Sequence, residues 1–227
     1  MAFRLDSVVP WGRNLAEYRA MFGLNQQNLA GSILGCADGP ASFNAELTNV
    51  GGKIVSADPL YAFATEDIKL RIDQTSANIL AQTRRNKDQF VWKAIGSVEE
   101  LGRIRLAAMD RFLSDYDAGR RAGRYVAASL PTLPFADKCF DLALCSHFLF
   151  LYSGILDMNF HYSAIRELCR VAGEVRIFPL LDLAGATSLH LPPVAEMLER
   201  RGYAVSIQGV NYEFQKGGDQ MLRVCGA

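Results

Sequence analysis

Short apolar runs alternate with helical patterns along most of the chain. Five runs have the length of buried strands: 32–36 (SILGC), 53–57 (KIVSA), 124–129 (RYVAAS), 141–146 (DLALCS) and 173–180 (GEVRIFPL). Helical periodicity separates them, notably at 162–171 and 193–201, and a short amphipathic helix over 13–22 precedes the first run. This alternation predicts an α/β fold, a doubly wound, mostly parallel sheet with helices on both faces.

The end of the chain follows a different pattern. Two β-rich runs, AVSIQGVNYEF and QMLRVCG, are joined by QKGGD with no helix between them. A Gly-Gly-Asp connection favours a hairpin, so the last strand is predicted to run antiparallel to its neighbour.

The interval from Asp58 to Arg124 is too long for one crossover helix and contains two helical patterns. Thr65 is predicted to cap the first helix, and Ser97 with Glu100 forms a capping box for the second. We expect one domain over 1–227, with an N-terminal cap helix at 12–23 and a helical insertion at about 62–122. The predicted buried faces of the two inserted helices are Ile68, Ile72 and Ile79, and Leu101, Ile104, Ala108 and Phe112.

Charge, cysteine and histidine content and the lengths of the apolar segments limit the classes of function that the chain could have. The chain has 24 basic and 24 acidic residues, so its overall charge does not favour nucleic acid or an acidic membrane. The five cysteines form no C-x-x-C pair, and the three histidines are separated, so reduced thiols and no metal site are predicted. The first residues lack a signal-peptide pattern, and the most apolar segment, 142–152, is too short to span a membrane. We expect a cytoplasmic protein.

The stretch ILGCADGPASF, at 33–43, joins the first strand to a following helix. Small residues at Gly35, Ala37 and Gly39 would let backbone N–H groups approach a ligand, although an ordinary strand-to-helix turn has a similar pattern. About twenty residues later the second strand ends at Asp58, which is placed to accept hydrogen bonds from ribose hydroxyls. Asp58 also precedes Pro59, a pairing that is typical of a simple turn.

The ordered blocks ILGCADGPASF, VSADP, LPFADKCFDLALCSH and RELCRVAGEVRIFPL, followed by a terminal hairpin, resemble the class I S-adenosylmethionine-dependent methyltransferases. The resemblance covers about residues 30–227 and suggests an uncharacterised member of bacterial type. It implies a Rossmann-like, seven-stranded sheet of the methyltransferase type and S-adenosyl-L-methionine as cofactor.

The resemblance also implies roles for individual residues. The loop would lie against the methionine part of the cofactor, Asp58 would hold the ribose, and Ser146 with His147 would face the methyl-transfer site, His147 as the candidate catalytic base. An N-terminal helix could cover the cofactor, with Arg13 toward a carboxylate, or simply pack on the sheet. The implied cofactor-binding residues are Gly35, Cys36, Ala37, Asp38, Gly39, Asp58, Pro59, Leu60, Ser129, Leu130 and Ser146.

Three positions depart from the family pattern: Ile33 and Ser129 stand where acidic residues are usual, and Ala37 stands where the middle glycine is usual.

The leading hypothesis is a methyltransferase with a small-molecule acceptor. The alternative is a non-catalytic module of the same fold that senses the cofactor or binds partners. A nicotinamide-dependent oxidoreductase is disfavoured by Pro40, and the mixed charges of the insertion do not favour an RNA acceptor. The acceptor and the oligomeric state stay open.

Overall fold

A seven-stranded sheet forms the centre of the computed structural model, which describes residues 9–226. The strand order is β3-β2-β1-β4-β5-β7-β6, and β7 alone runs antiparallel to its neighbours. This topology confirms the predicted fold class. The strands are β1 (Ser32–Cys36), β2 (Lys53–Ala57), β3 (Tyr125–Val126), β4 (Phe140–Ser146), β5 (Ala172–Phe178), β6 (Ala204–Gly209) and β7 (Gln220–Cys225).

Helices cover both faces of the sheet. Neighbouring residues of β1 contribute to the hydrophobic cores on opposite faces of the sheet. Ile33 packs with α1 and α3, whereas Leu34 packs with α6 and α7. Because side chains alternate across a strand, a run that is buried on both faces must be apolar throughout. The helices are α1 (Leu15–Phe22), α2 (Gln26–Ala30), α3 (Phe43–Asn49), α4 (Thr65–Arg85), α5 (Val98–Arg121), α6 (Met158–Val171) and α7 (Leu191–Glu199).

Helices α4 and α5 lie between β2 and β3, and most of their predicted apolar faces are buried. Ile68, Ile72 and Ile79 are buried on α4, whereas Ile104 of α5 is only partly buried. The cap predicted at Thr65 is wrong. Ala64, with an extended backbone, is the N-cap residue, Thr65 is the first helical residue, and the Thr65 hydroxyl donates to Asp117 at 2.7 Å.

The capping box predicted for α5 is half formed. The Ser97 hydroxyl accepts a hydrogen bond from the Glu100 amide at 3.1 Å. The Glu100 carboxylate does not return to Ser97, because it pairs with the Arg103 guanidinium one turn along the helix. One of the two bonds of the box is therefore sufficient to start this helix.

β3 and α6 differ in length from their predictions. β3 contains two residues rather than six, because it is an edge strand and the chain turns at Ser129, whose carbonyl accepts from the Thr132 amide. α6 begins at Met158 rather than 162, because Asp157 caps it by accepting from the Phe160 amide at 2.7 Å.

Candidate functional site

A cavity of about 850 Å³ lies at the carboxyl ends of β1, β2 and β4. This is the edge where ligands bind in open α/β sheets. Of the residues predicted from the sequence to form a site, all but Gly35 line the cavity: Cys36, Ala37, Asp38, Gly39, Asp58, Pro59, Leu60, Ser129, Leu130, Ser146 and His147.

Gly35 makes room for a neighbouring carboxylate. A Cβ atom built on Gly35 would lie 1.8 Å from Oδ2 of Asp38, so no other residue fits there without movement. The Asp38 side chain is 8% exposed and accepts hydrogen bonds from the hydroxyls of Tyr18 and Ser56, each at 2.7 Å. The glycine therefore serves the internal support of the loop.

Burial dominates the ionisation of Asp38. It raises the pKa of this carboxyl to about 6, while the hydrogen bonds from Tyr18 and Ser56 act in the opposite direction. The nearby Asp58 raises the pKa further. No described residue forms an ion pair with Asp38.

The turn after Cys36 keeps a glycine-like backbone without the middle glycine. Ala37 has φ +56° and Gly39 has φ +54°, both in the left-handed region. For an alanine this conformation costs about 1–2 kcal/mol. The Ala37 amide donates to the Ala57 carbonyl at 2.9 Å, which ties the loop to the end of β2. Strain of this kind is concentrated at functional sites.

Asp58 joins the end of β2 to the loop. Its two carboxylate oxygens accept hydrogen bonds from the amides of Gly39 and Leu60, each at 2.8 Å. Burial raises its pKa. The Tyr61 hydroxyl donates to the Gly39 carbonyl at 2.8 Å and braces the same turn. Asp58 therefore has the turn role of one sequence interpretation, and it also lines the cavity; the ribose contact of the other interpretation stays a prediction.

His147 follows directly after β4 and is held in a strained backbone conformation, with φ +52°. Its amide donates to the Phe178 carbonyl at 2.6 Å, and its Nδ1 lies 3.0 Å from the Ser146 hydroxyl. Burial, followed by the charges of Arg13 and Arg105, lowers the pKa of His147 well below 6.5. The imidazole is therefore neutral at neutral pH, with no described residue hydrogen-bonded to Nε2.

The chain before α1 forms another wall of the cavity and presents Arg13 to it. Gly12 packs on Pro40, where an added Cβ would lie 2.0 Å from the carbonyl oxygen, and the Arg13 carbonyl accepts from the Ser42 amide. The Arg13 guanidinium donates to the Trp11 carbonyl at 3.1 Å, while its Nε is buried without a partner. Among residues 9–226, no carboxylate forms an ion pair with it.

Behind this wall lies a buried charge cluster that sequence reasoning missed. Arg105 of α5 is 0% exposed and forms an ion pair with Glu17 of α1. The Tyr212 hydroxyl donates to Glu17 at 3.1 Å and accepts from Arg105 at 3.4 Å. The available signal was a basic residue on the predicted apolar face of α5, four residues after Leu101.

The aromatic residues after β4 divide between the cavity and the core. Phe148 and Tyr152 line the cavity, whereas Phe150 is 0% exposed and packs in the core. His161 is also buried, and its ring nitrogens bond to the carbonyls of Leu149 and Asp157. His161 is therefore a structural residue.

Other site types find no support in residues 9–226. No group of three or more histidine, cysteine or acidic side chains is arranged to hold a metal ion. None of the helices within these residues is both long and apolar enough to cross a membrane. The five cysteines are free thiols, of which Cys139 is exposed.

Comparison with known proteins identifies a relative. No family model matches the chain. The chain is 35% identical over 220 residues to the uncharacterized protein MJ0045 of Methanocaldococcus jannaschii, a match that covers 96% of each sequence. The chain belongs to the same family as MJ0045. Because this relative comes from an archaeon, it does not confirm the bacterial type expected from the sequence.

Several solved structures resemble the chain at low identity. Magnesium protoporphyrin IX methyltransferase (ChlM) from Synechocystis PCC 6803 is 11% identical with a TM-score of 0.45, over 89% of this chain and 73% of that one. A SAM dependent methyltransferase from Aquifex aeolicus is 14% identical with a TM-score of 0.42, over 92% of this chain and 90% of that one. At these values the matches carry no information about activity.

Proposed function

We propose that the protein is an S-adenosylmethionine-dependent methyltransferase that acts on a small molecule. The observation that carries the proposal is the meeting of three strand ends in one cavity. The loop after β1, Asp58 after β2, and Ser146 with His147 at the end of β4 all line it. The cavity volume, about 850 Å³, is near the upper end for small-molecule sites, which suits a cofactor with a small acceptor.

The side chains on the β2 side suit an adenosine group. Each Asp58 oxygen accepts one backbone N–H and keeps a further acceptor position for a ribose hydroxyl. Leu60 and Leu130 provide apolar walls for a flat base, and Ser129 lies beside Leu130 on the same cavity wall. Within the described chain, no cation competes for Asp58.

Arg13 suits the carboxylate of an amino-acid group. It is a cavity residue with a buried, unpartnered Nε, and Glu17, the acid that acts on it electrostatically, is already paired with Arg105. Burying a charge without a counterion is costly. A ligand carboxylate would remove that cost, which makes Arg13 the residue that would hold the methionine end of the cofactor.

The chemistry requires alignment and removal of a proton. The cofactor, when bound, supplies a methyl group activated by a sulfonium. Cavity walls that exclude water and hold the acceptor in line contribute up to about 7–11 kcal/mol to such a step. The neutral His147 imidazole, beside the Ser146 hydroxyl, would take the proton from the acceptor atom at Nε2.

The first test is calorimetric titration with S-adenosylmethionine and S-adenosylhomocysteine. We expect micromolar binding by the wild type and a loss of about 100-fold in the Asp58→Ala variant, because two charge-assisted hydrogen bonds are removed. Asp67→Ala is the matched control, since Asp67 lines the same cavity from α4. Absence of binding by folded wild-type protein would contradict the proposal and favour the non-catalytic alternative.

The role of Arg13 is tested with a ligand that lacks the amino acid. Arg13→Gln is expected to weaken S-adenosylhomocysteine binding by about 10- to 100-fold, the range of a hydrogen bond to a charged group. Binding of 5′-methylthioadenosine, which has no carboxylate, should not change. An equal loss for both ligands would mean that Arg13 supports the fold of the site and does not contact the carboxylate.

A further inference from the structure

The cavity extends well beyond the residues proposed for the cofactor, along the length of α4. Cavity-lining residues of this helix run from Asp67 to Thr83, about 24 Å at 1.5 Å per residue. Helix α4 begins shortly after β2, and the chain that follows it contacts the loop between β6 and β7. The helix therefore crosses the carboxyl ends of the strands from one side of the sheet to the other.

His147 follows β4, which lies between β1 and β5 in the strand order, so cavity-lining residues are found on both sides of it. On the β2 side lie the 36–39 loop and Asp58, which are the proposed cofactor residues. On the other side the cavity continues under the second half of α4, from Gln74 to Thr83, for about 13 Å. We name this second part the distal chamber; besides α4 it is lined by Phe148, Leu151, Phe178, Leu183, Phe214 and Gln215.

The far end of the distal chamber is closed by two chain segments that bind each other. The Val91 amide donates to the Phe214 carbonyl at 2.7 Å, and the Lys216 amide donates to the Gln89 carbonyl at 3.0 Å. The rings of Phe90 and Phe214 stack with their centroids 4.7 Å apart. The chamber therefore has a defined apolar end wall.

Except for the Gln74 amide, the polar side chains that line the distal chamber are engaged inside the protein. The Thr83 hydroxyl donates to the Ile79 carbonyl at 2.8 Å, and the Gln215 amide nitrogen donates to the Asp182 carbonyl at 3.1 Å. The Tyr212 hydroxyl is shared between Glu17 and Arg105. The surfaces left for a ligand are those of phenylalanine, leucine and isoleucine side chains, together with the Gln74 amide on α4.

Because this inference deepens the proposed function, it rests on that function. We infer that the acceptor is an elongated, uncharged apolar molecule whose body fills the distal chamber and whose methylated atom lies at the end beside His147. Burial of an apolar body against these walls would supply binding energy in proportion to its area. A charged body would lose its hydration without gaining an opposite charge from the residues named as lining the distal chamber.

The test is calorimetric titration of the full chain with 4-ethylphenol, 4-butylphenol and 4-hexylphenol, with and without saturating S-adenosylhomocysteine. We expect affinity to rise about three- to fourfold for each added CH₂ group. The carboxylate analogue 4-butylbenzoate should bind more weakly than 4-butylphenol. Affinity that does not depend on chain length, or a preference for the carboxylate, would overturn the inference.

A matched pair of variants locates the binding. Ile79 and Ile72 are both 3% exposed on α4, and of the two only Ile79 lines the cavity. Ile79→Phe should reduce 4-hexylphenol binding at least tenfold and leave 4-ethylphenol binding unchanged, whereas Ile72→Phe should change neither. Equal effects of both variants would place the ligand elsewhere.

If Ile79→Phe does not fold, Phe214→Ala provides the second variant. Removing this ring lengthens the chamber, so affinity should continue to rise from 4-hexylphenol to 4-octylphenol only in the variant. No such extension would overturn the inference. If S-adenosylhomocysteine does not bind but affinity for the phenols still rises with chain length, the methyltransferase proposal is contradicted. The inference that the distal chamber binds an apolar body would then still hold.

Discussion

Asp38 and Glu17 are carboxylates that are largely removed from solvent, and desolvation acts to raise the pKa of each. Asp38 is met by two neutral hydroxyls, and its pKa stays raised, at about 6. Glu17 is met by the Arg105 guanidinium, and its pKa is lowered below the ordinary value. An opposite charge offsets the desolvation of a carboxylate in this protein, whereas two neutral donors do not.

The two carboxylates are connected through neighbouring residues of α1. Glu17 faces α5 and the loop that contains Tyr212, while Tyr18 bonds to Asp38 in the glycine loop. The ion pair thus connects three parts of the chain, and Asp38 supports the 36–39 loop from within. The first arrangement is predicted to be a fixed structural element, and the second a group that titrates close to neutral pH.

Removal of the Arg105 guanidinium is expected to have the largest effect on stability. Arg105→Met leaves Glu17 without its ion-pair partner in a largely desolvated position, which should lower the free energy of unfolding by about 3–5 kcal/mol in urea denaturation. Arg103→Met, on the exposed side of the same helix, is the matched control and should stay near the wild type. Equal effects would mean that the buried pair has no special energetic role.

The pH dependence of stability should have opposite signs for the two acids. The raised pKa of Asp38 gives a contribution that is present below pH 3.8 and lost as pH rises through about 6, about 3 kcal/mol in total. Glu17, with its lowered pKa, contributes above pH 4.5 and loses that contribution as pH falls.

Unfolding free energies measured from pH 4 to 7 for the wild type, Asp38→Asn and Glu17→Gln check these signs. The unfolding free energy of the wild type minus that of Asp38→Asn should decline with rising pH. The corresponding difference for Glu17→Gln should not decline. A flat difference curve for Asp38→Asn would show that its folded pKa is ordinary.

A smaller effect on stability is expected when one of the two hydroxyls bonded to Asp38 is removed. Tyr18→Phe removes one hydrogen bond to Asp38 and should cost about 1.5–3 kcal/mol at pH 7, less at pH 4.5 where Asp38 is protonated. Tyr116→Phe is the control, because its hydroxyl donates to the backbone carbonyls of Tyr61 and Phe63. Its cost, about 0.5–1.5 kcal/mol, should not vary with pH.

Much of the fold was determined by the sequence alone. The runs at 32–36 and 53–57 are the observed bounds of β1 and β2, and the Gly-Gly-Asp connection joins an antiparallel hairpin. These features depend on local periodicity and on residues that end a strand, which a single chain segment contains. The predicted loop and Asp58 also meet at one cavity, because parallel strands bring their carboxyl ends to the same edge.

Only the tertiary structure decided which side chains meet across long sequence separations. Arg105 reaches Glu17 across 88 residues, and Gly35 is small because Asp38 turns back against it. The course of α4 over the strand ends, which creates the distal chamber, was not encoded in its periodicity. Periodicity specifies which face of a helix is buried, whereas the partner of that face depends on packing of the whole chain.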